Sequence, residues 1–184
     1  RFTNSYTRVG GVSQDFTPLV IEKIRTFVKT FPKTLDDMER LLTRNRIFVD
    51  RTKGVGVLTR EEATNRSATG PVARASGVPR DLRKDEPYLA YADFDFRVPC
   101  ASAGDCYARY LVRMQEMRES LKIVAQAIEN LPSGPVNVGI DQRTALPTKK
   151  QVYSSIEGTI SHFELSMSNR GFEVPHEESY AAIE

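Results

Sequence analysis

Two cysteines and two histidines are all that the 184 residues contain, and this scarcity excludes a good deal of chemistry. Cys100 and Cys106 are spaced C-x5-C with no matching pair elsewhere. Neither a zinc site nor an iron–sulfur cluster can be assembled from them alone, and two free thiols are the expectation. His162 and His176 stand far apart, so no metal site is expected. No Ser-His-Asp, Cys-His, paired-carboxylate or phosphate-loop arrangement can be read. Gly54-Val55-Gly56-Val57 lacks the third glycine and the strand–helix context of a nucleotide loop. No apolar run approaches the ~18 residues of a membrane-spanning helix. Repeats, heptad arrays and low-complexity tracts are also missing.

The hydrophobic fraction of 40% is enough to bury a core, and a chain of this length is one domain or one piece of a larger one. It begins with Arg1 rather than Met, which suggests a fragment or a processed chain. The net charge of +2 conceals an asymmetry: 40–84 holds eleven Lys/Arg against four Asp/Glu, whereas 171–184 holds four Glu and no base. Such a patch could suit nucleic acid. Here, however, the arginines are scattered among glycines, prolines and acids without interleaved aromatics, so no nucleic-acid partner is expected.

The strongest periodicity lies between Gly104 and Leu131. Tyr107, Tyr110, Met114, Met117, Leu121, Val124, Ile128 and Leu131 recur at spacings of 3 and 4, a seam along one face of a long core helix. Asp105 suits its N-cap, and Pro132 with Gly134 its stop. Arg109, Arg113 and Glu116 line up beside the seam, placing two like charges one turn apart. An acidic neighbour should face them, in a structural salt-bridge network or at a partner surface.

Earlier in the chain, Thr17-Pro18 suits a helix start, with Val20, Ile24, Phe27 and Phe31 as its stripe and Pro32 as its end. Thr34 could cap a second helix with Leu35, Met38, Leu41 and Leu42 inward, giving two short antiparallel helices. Thr59–Glu62 forms a capping box. From Ser67 to Ala103 periodicity disappears. The segment carries Arg74, Arg80, Asp81, Arg83 and Asp85 and is too long for a casual connector. Its PYLAY and FDF strings alternate like short edge strands. Thr148–Gln151 is a second capping box, opening a helix with Tyr153, Ile156, Ile160, Phe163 and Met167 inward as the partner of the central helix. The final FEVP and SYAAIE look extended. The fold class is mainly α, four or five helices around a two-helix core, with a long irregular loop and minor β at the C-terminal end. Residues 1–184 are expected to be a single helical piece of a longer subunit.

Five strings, TRVGGV at 7–12, GPVARASGVPRDLRKDEPY at 70–88, GDCYARYLVRMQEMRESL at 104–121, IEGTISHF at 156–163 and SYAAIE at 179–184, together resemble the D-type subunit of the proton-pumping NADH:quinone oxidoreductase, respiratory complex I. The resemblance runs through the whole chain in order. It implies the helical core of the fold shared with nickel–iron hydrogenase large subunits. It also implies packing on the B-type subunit that carries the terminal [4Fe-4S] cluster, with the quinone entering a cavity between the two. The C-type subunit and the membrane arm are further implied partners, and a peripheral place on the cytoplasmic side of the inner membrane is the implied location. The family's quinone-holding His and Tyr lie upstream of Arg1. This chain is therefore expected to hold no catalytic residue and no cofactor, and to be inactive alone. The pattern R-x-H-x-x-Y-x-R-x-G-G maps onto Arg1, Thr3, Tyr6, Arg8, Gly10 and Gly11, with Thr3 in place of the histidine. Arg8 is then the residue expected nearest the cluster and quinone, while Thr3 cannot take up a proton as a histidine does. Gly10, Gly11, Arg74, Asp81, Arg83, Arg109, Arg113 and Glu116 are the expected interface or structural residues. A membrane-bound hydrogenase-type large subunit and a non-catalytic helical scaffold are the alternatives.

Overall fold

The computed structural model describes residues 6–8, 11–12, 14–137, 146–168 and 178. Among these residues the chain is mainly helical, as the sequence predicts. They fall into two compact units, one of 18–131 and one made of the described residues on either side of it. The extended tail anticipated after Asn169 lies outside the described residues.

In the larger unit, α1 (Pro18–Leu42), α2 (Arg46–Thr52), α3 (Arg60–Asn65), α4 (Gly70–Ala75), α5 (Leu82–Asp85), a 3₁₀ turn (Tyr91–Asp93) and α6 (Cys106–Glu129) follow one another. The start and stop of α6 agree with the sequence signals. Asp105 caps it by accepting from the Ala108 N–H, and Asn130 closes it. The second carboxylate oxygen of Asp105 accepts from the Gly54 N–H at 2.7 Å. Burial opposes ionisation of this carboxyl, but the backbone donors outweigh it and hold its pKa below the ordinary value. Gly104 adopts φ +64°, and a Cβ there would collide with the Leu58 carbonyl oxygen. The glycine therefore provides both the left-handed turn and the close approach that seat the 54–58 turn on the start of α6.

α1 runs antiparallel to α6. Arg25 meets Glu129, Arg118 meets both Asp36 and Glu39, and the Tyr107 hydroxyl donates to the Thr43 carbonyl at 2.8 Å. This helix corrects the expectation of two short ones, because it continues through Pro32. A proline inside a helix removes one backbone bond at a cost of about 3 kcal/mol. Contacts with α6 on both sides of Pro32 make that cost tolerable. One continuous helix also has one phase: Ile21, Ile24, Val28, Phe31, Leu35, Glu39 and Leu42 are buried or half-buried, while Val20, Phe27, Met38 and Leu41 are exposed. A boundary at Pro32 would instead set each half in its own register.

α6 is covered on two sides. The tyrosine end of its predicted seam meets α1 and α2, where Tyr107 and Tyr110 pack with Phe48. A second stripe, Ala108 and Val112, lies against Ala75 of α4. The same stripe continues at helical spacing into Glu116 and Glu119. No strand forms at 87–96, although the sequence alternates there. The Asp95 N–H donates to the Gln126 carboxamide oxygen and its carbonyl accepts from the Gln126 nitrogen, both at 2.8 Å. The Arg97 N–H donates to Glu119 at 2.9 Å. Side chains of α6 thus occupy the groups a neighbouring strand would need.

In the second unit, β1 (Thr7–Arg8) and β2 (Gly11–Val12) form a small antiparallel hairpin, with Arg8 opposite Gly11. α7 (Lys149–Ser154) begins at the predicted Thr148–Gln151 capping box, but the helix breaks at Ser155, which caps α8 (Ile156–Phe163). Gly158 lies so close to the Gln151 carbonyl that any Cβ would clash. A π-helical turn (Glu164–Ser168) follows. The stripe assigned to the core is exposed: Tyr153, Ile156, Ile160, Phe163 and Met167 are all at least half open to solvent in this chain. Periodicity identifies the apolar face, but among the described residues no element of its own unit covers it.

The continuous register of α1 separates two leucines that the sequence treats alike. Leu35→Ala should cost about 2–5 kcal/mol, as buried leucine truncations do, and Leu41→Ala under ~0.5. Pro32→Ala should raise stability by up to ~3 kcal/mol by restoring the helix bond. Denaturant midpoints check all three variants. Equal losses at Leu35 and Leu41 would contradict the single-helix register.

Candidate functional site on the central helix

Half of the residues that the sequence singles out, Arg74, Asp81, Arg83, Arg113 and Glu116, lie on α4, at the start of α5 and on the side of α6 that faces α4. Arg74, on the last turn of α4, is 4% exposed although it carries a full charge. Its Nε donates to Glu116 Oε1 at 2.8 Å, and its NH1 donates to the Arg80 carbonyl at 2.9 Å. Arg113 approaches the other Glu116 oxygen at 3.5 Å from the surface. Glu116 therefore lies between a buried and an exposed guanidinium, and the Arg74 carbonyl accepts from the Ala101 N–H at 2.9 Å.

Asp81 is 1% exposed. Its carboxylate caps α5 through the Arg83 N–H and also receives the Arg83 guanidinium in a two-point pair at 2.9 and 2.6 Å. Burial by itself would raise the pKa of this carboxyl, but bonds from Arg83, aided by the charges of Arg83 and Arg74, bring it below the ordinary value. Arg83 also stacks near Phe96, its Cζ 5.1 Å from the ring centroid, and Lys84 Nζ stands 4.6 Å from the same ring. Tyr88, Tyr91, Phe94 and Phe96 form an aromatic cluster around this point.

Arg109 departs from expectation. Among the described residues no carboxylate lies within ion-pair distance of it, although its charge acts on nearby Asp105. Its NH2 donates to the carbonyls of Gly56 at 2.6 Å and Gly104 at 2.8 Å, its NH1 approaches Cys106 Sγ at 3.6 Å, and its Nε is buried with no partner. Carbonyl dipoles at the start of α6 take the place of a carboxylate. Arg113 does find an acid, but on its own helix.

The remaining predicted residues belong to the second unit. Gly11, at φ +155°, would bring any Cβ into the Val136 carbonyl, and the Val12 N–H donates to that carbonyl at 3.0 Å. Arg8 is one strand position away, opposite Gly11. Tyr6 stacks on Phe16 at 5.7 Å and donates to the Gln14 carbonyl. Thr3 and Gly10 lie outside the described residues, and Asp15 accepts from the Phe16 N–H.

Sequence reasoning missed Glu119, Gln126 and Arg118. Glu119 and Gln126 look like ordinary solvated positions, and only their place on the second buried stripe of α6 could have marked them. Burial disfavours ionised Glu119, yet Lys122 and the Arg97 N–H lower its pKa on balance. Among the described residues, no group of three or more His, Cys, Asp or Glu could hold a metal ion. What the arrangement can do chemically is fix charge: among the described residues, buried Arg74, Asp81 and Asp105 each have a hydrogen-bonding partner.

Comparison with known proteins identifies the class. Residues 1–184 match the family described as respiratory-chain NADH dehydrogenase, 49 kDa subunit, and the chain belongs to that family. Among curated relatives it is 46% identical over 180 residues to the D-type subunit of NADH-quinone oxidoreductase from Methylacidiphilum infernorum, covering 98% of this chain and 42% of the relative. It is 47% identical to the corresponding protein of Rhodospirillum rubrum and 48% to that of Myxococcus xanthus, in each case over the whole chain and 46% or 44% of the relative. The chain thus spans less than half the length of these relatives.

Two outcomes test the cluster. Arg74→Met should cost about 3–5 kcal/mol by leaving half-buried Glu116 with only the exposed Arg113 as counter-charge, whereas Arg74→Met with Glu116→Leu should recover much of that loss; a double-mutant cycle in urea measures both. Asp81 supplies the pH dependence. Because its folded pKa is depressed, the unfolded chain binds more protons between the two pKa values. Its contribution is fully present above about pH 4, the ordinary carboxylate range, and is lost as pH falls through the folded value. Asp81→Asn should therefore lower stability at about pH 7 and flatten its decline below about pH 4, as read from acid titration of the thermal midpoint.

Proposed function

We propose that this chain is part of the quinone-reducing module of proton-translocating NADH:quinone oxidoreductase. In this reading it packs against the B-type iron–sulfur subunit and adjoins the C-type subunit and the membrane arm. It helps to frame the quinone cavity, while the [4Fe-4S] cluster and the catalytic quinone ligands belong to neighbouring parts of the enzyme. The observation that carries the reading is the match over all 184 residues to relatives named for quinone reduction.

Peripheral attachment on the cytoplasmic side fits a chain in which, among the described residues, no helix is long and apolar enough to cross a membrane. The hairpin supports a role for Arg8. Gly11 pins β2 against Val136 and so fixes the backbone register opposite Arg8. A guanidinium held near the cluster or quinone stabilises added negative charge without losing its own proton. Thr3, where the family pattern has histidine, supplies no proton-linked counterpart.

In the assembled enzyme, Arg8→Met should lower quinone reductase activity by up to roughly 10²-fold, the scale of one preorganised donor. It should also shift the cluster potential downward. NADH oxidation by an artificial acceptor that draws electrons upstream should be nearly unchanged. If both activities fall together with the amount of assembled complex, Arg8 is a stability residue and the assignment fails.

A further inference from the structure

A groove of about 420 Å³ opens between the N-terminal half of α1 and the C-terminal half of α6. Its volume is in the range of small-molecule sites, and its make-up is that of such a site, mostly apolar with a few polar groups. Ile24 and Val28 form one wall and Ala125 and Ile128 the other. Val28 and Pro32 lie one turn apart on the inward stripe of α1, and Pro32 has no N–H to give the Val28 carbonyl. The helix is therefore weakest where it faces α6, and the groove opens just before that point.

The charges around the groove are unequal. Arg25 is neutralised across the mouth by Glu129 at 3.2 Å. Lys29, one turn further along α1, also lines the groove, and among the described residues no carboxylate lies within 4.0 Å of it. Among the described residues, the apolar trough thus ends at one cation that no carboxylate meets. Those are the features of a site for a single-chain amphiphile with an anionic head, the chain in the trough and the head on Lys29.

We propose that this groove binds a free medium-chain fatty acid, its carboxylate paired with Lys29 and its acyl chain lying on Ile24, Val28, Ala125 and Ile128. The proposal is independent of the respiratory role argued above. Isothermal titration of the purified chain with dodecanoate and dodecyltrimethylammonium, each below its micelle concentration, and with dodecanol below its solubility limit, tests it. Dodecanoate should bind saturably at one site, dodecanol more weakly and the cation least. Lys29→Gln should weaken dodecanoate about two- to fivefold, the scale of one exposed ion pair, and leave dodecanol unchanged. Ala125→Met should fill the floor and abolish binding while the helical circular dichroism is retained; if that variant does not fold, the Lys29→Gln comparison decides. Equal binding of anion and cation, indifference of dodecanoate to Lys29→Gln, no saturable binding, or binding only to phosphatidylglycerol vesicles would each overturn the proposal.

Discussion

The buried Arg74–Glu116 pair is the contact on which the larger unit depends. An arginine at 4% exposure is tolerable only if its charge is met, and the acid that meets it belongs to a helix forty-two positions further along the chain. The same residue binds the Arg80 carbonyl through its guanidinium and the Ala101 N–H through its own carbonyl. One residue thus joins the start, the middle and the end of the irregular segment to α6. Removing either partner of such a pair exposes the other to an apolar surrounding, so the segment and the helix are stable together or not at all.

The rest of the segment follows the same logic with neutral and acidic side chains. Gln126 gives Asp95 both a donor and an acceptor, as a peptide group of an adjacent strand would, and Glu119 takes the next free N–H, that of Arg97. These bonds tie the backbone at Asp95 and Arg97 to α6 although both residues are exposed. Asp81 and Arg83 complete the arrangement by fixing α5 over the aromatic cluster. The outcome is an ordered, charge-rich arrangement built on a helix.

How much of this is legible in the sequence depends on the range of the signal. Thr59–Glu62, Thr148–Gln151 and Asp105 are capping patterns that act within one turn, and all three appear where the sequence places them. The seam of α6 is readable because burial against α1 and α2 imposes a period. Pro32 misleads because its local penalty is outweighed by packing against α6 on both sides, a tertiary effect invisible in a short window. The strings 87–91 and 94–96 alternate as strands do, but whether a strand forms is decided by a pairing partner, and here Gln126 and Glu119 fill that place. Arg109 shows the limit of charge counting, since backbone carbonyls serve where a carboxylate is expected. The stripe from Tyr153 to Met167 is recognisable as apolar, yet nothing in the sequence says whether the covering surface belongs to this chain. Of the proposed site residues, Arg74, Asp81, Arg83 and Glu116 are visible as charges in a loop and on a helix; their convergence is not.

The central physical claim is that the irregular segment is part of the folded core, held there by side chains of α6. Native-state hydrogen exchange of the Asp95, Arg97 and Ala101 amides tests it most directly. The account predicts protection comparable to that of the middle of α6, with Glu119→Ala releasing Arg97 while Asp95 stays protected through Gln126. Exchange of all three amides at the rate of an unstructured chain, with α6 still protected, would contradict it.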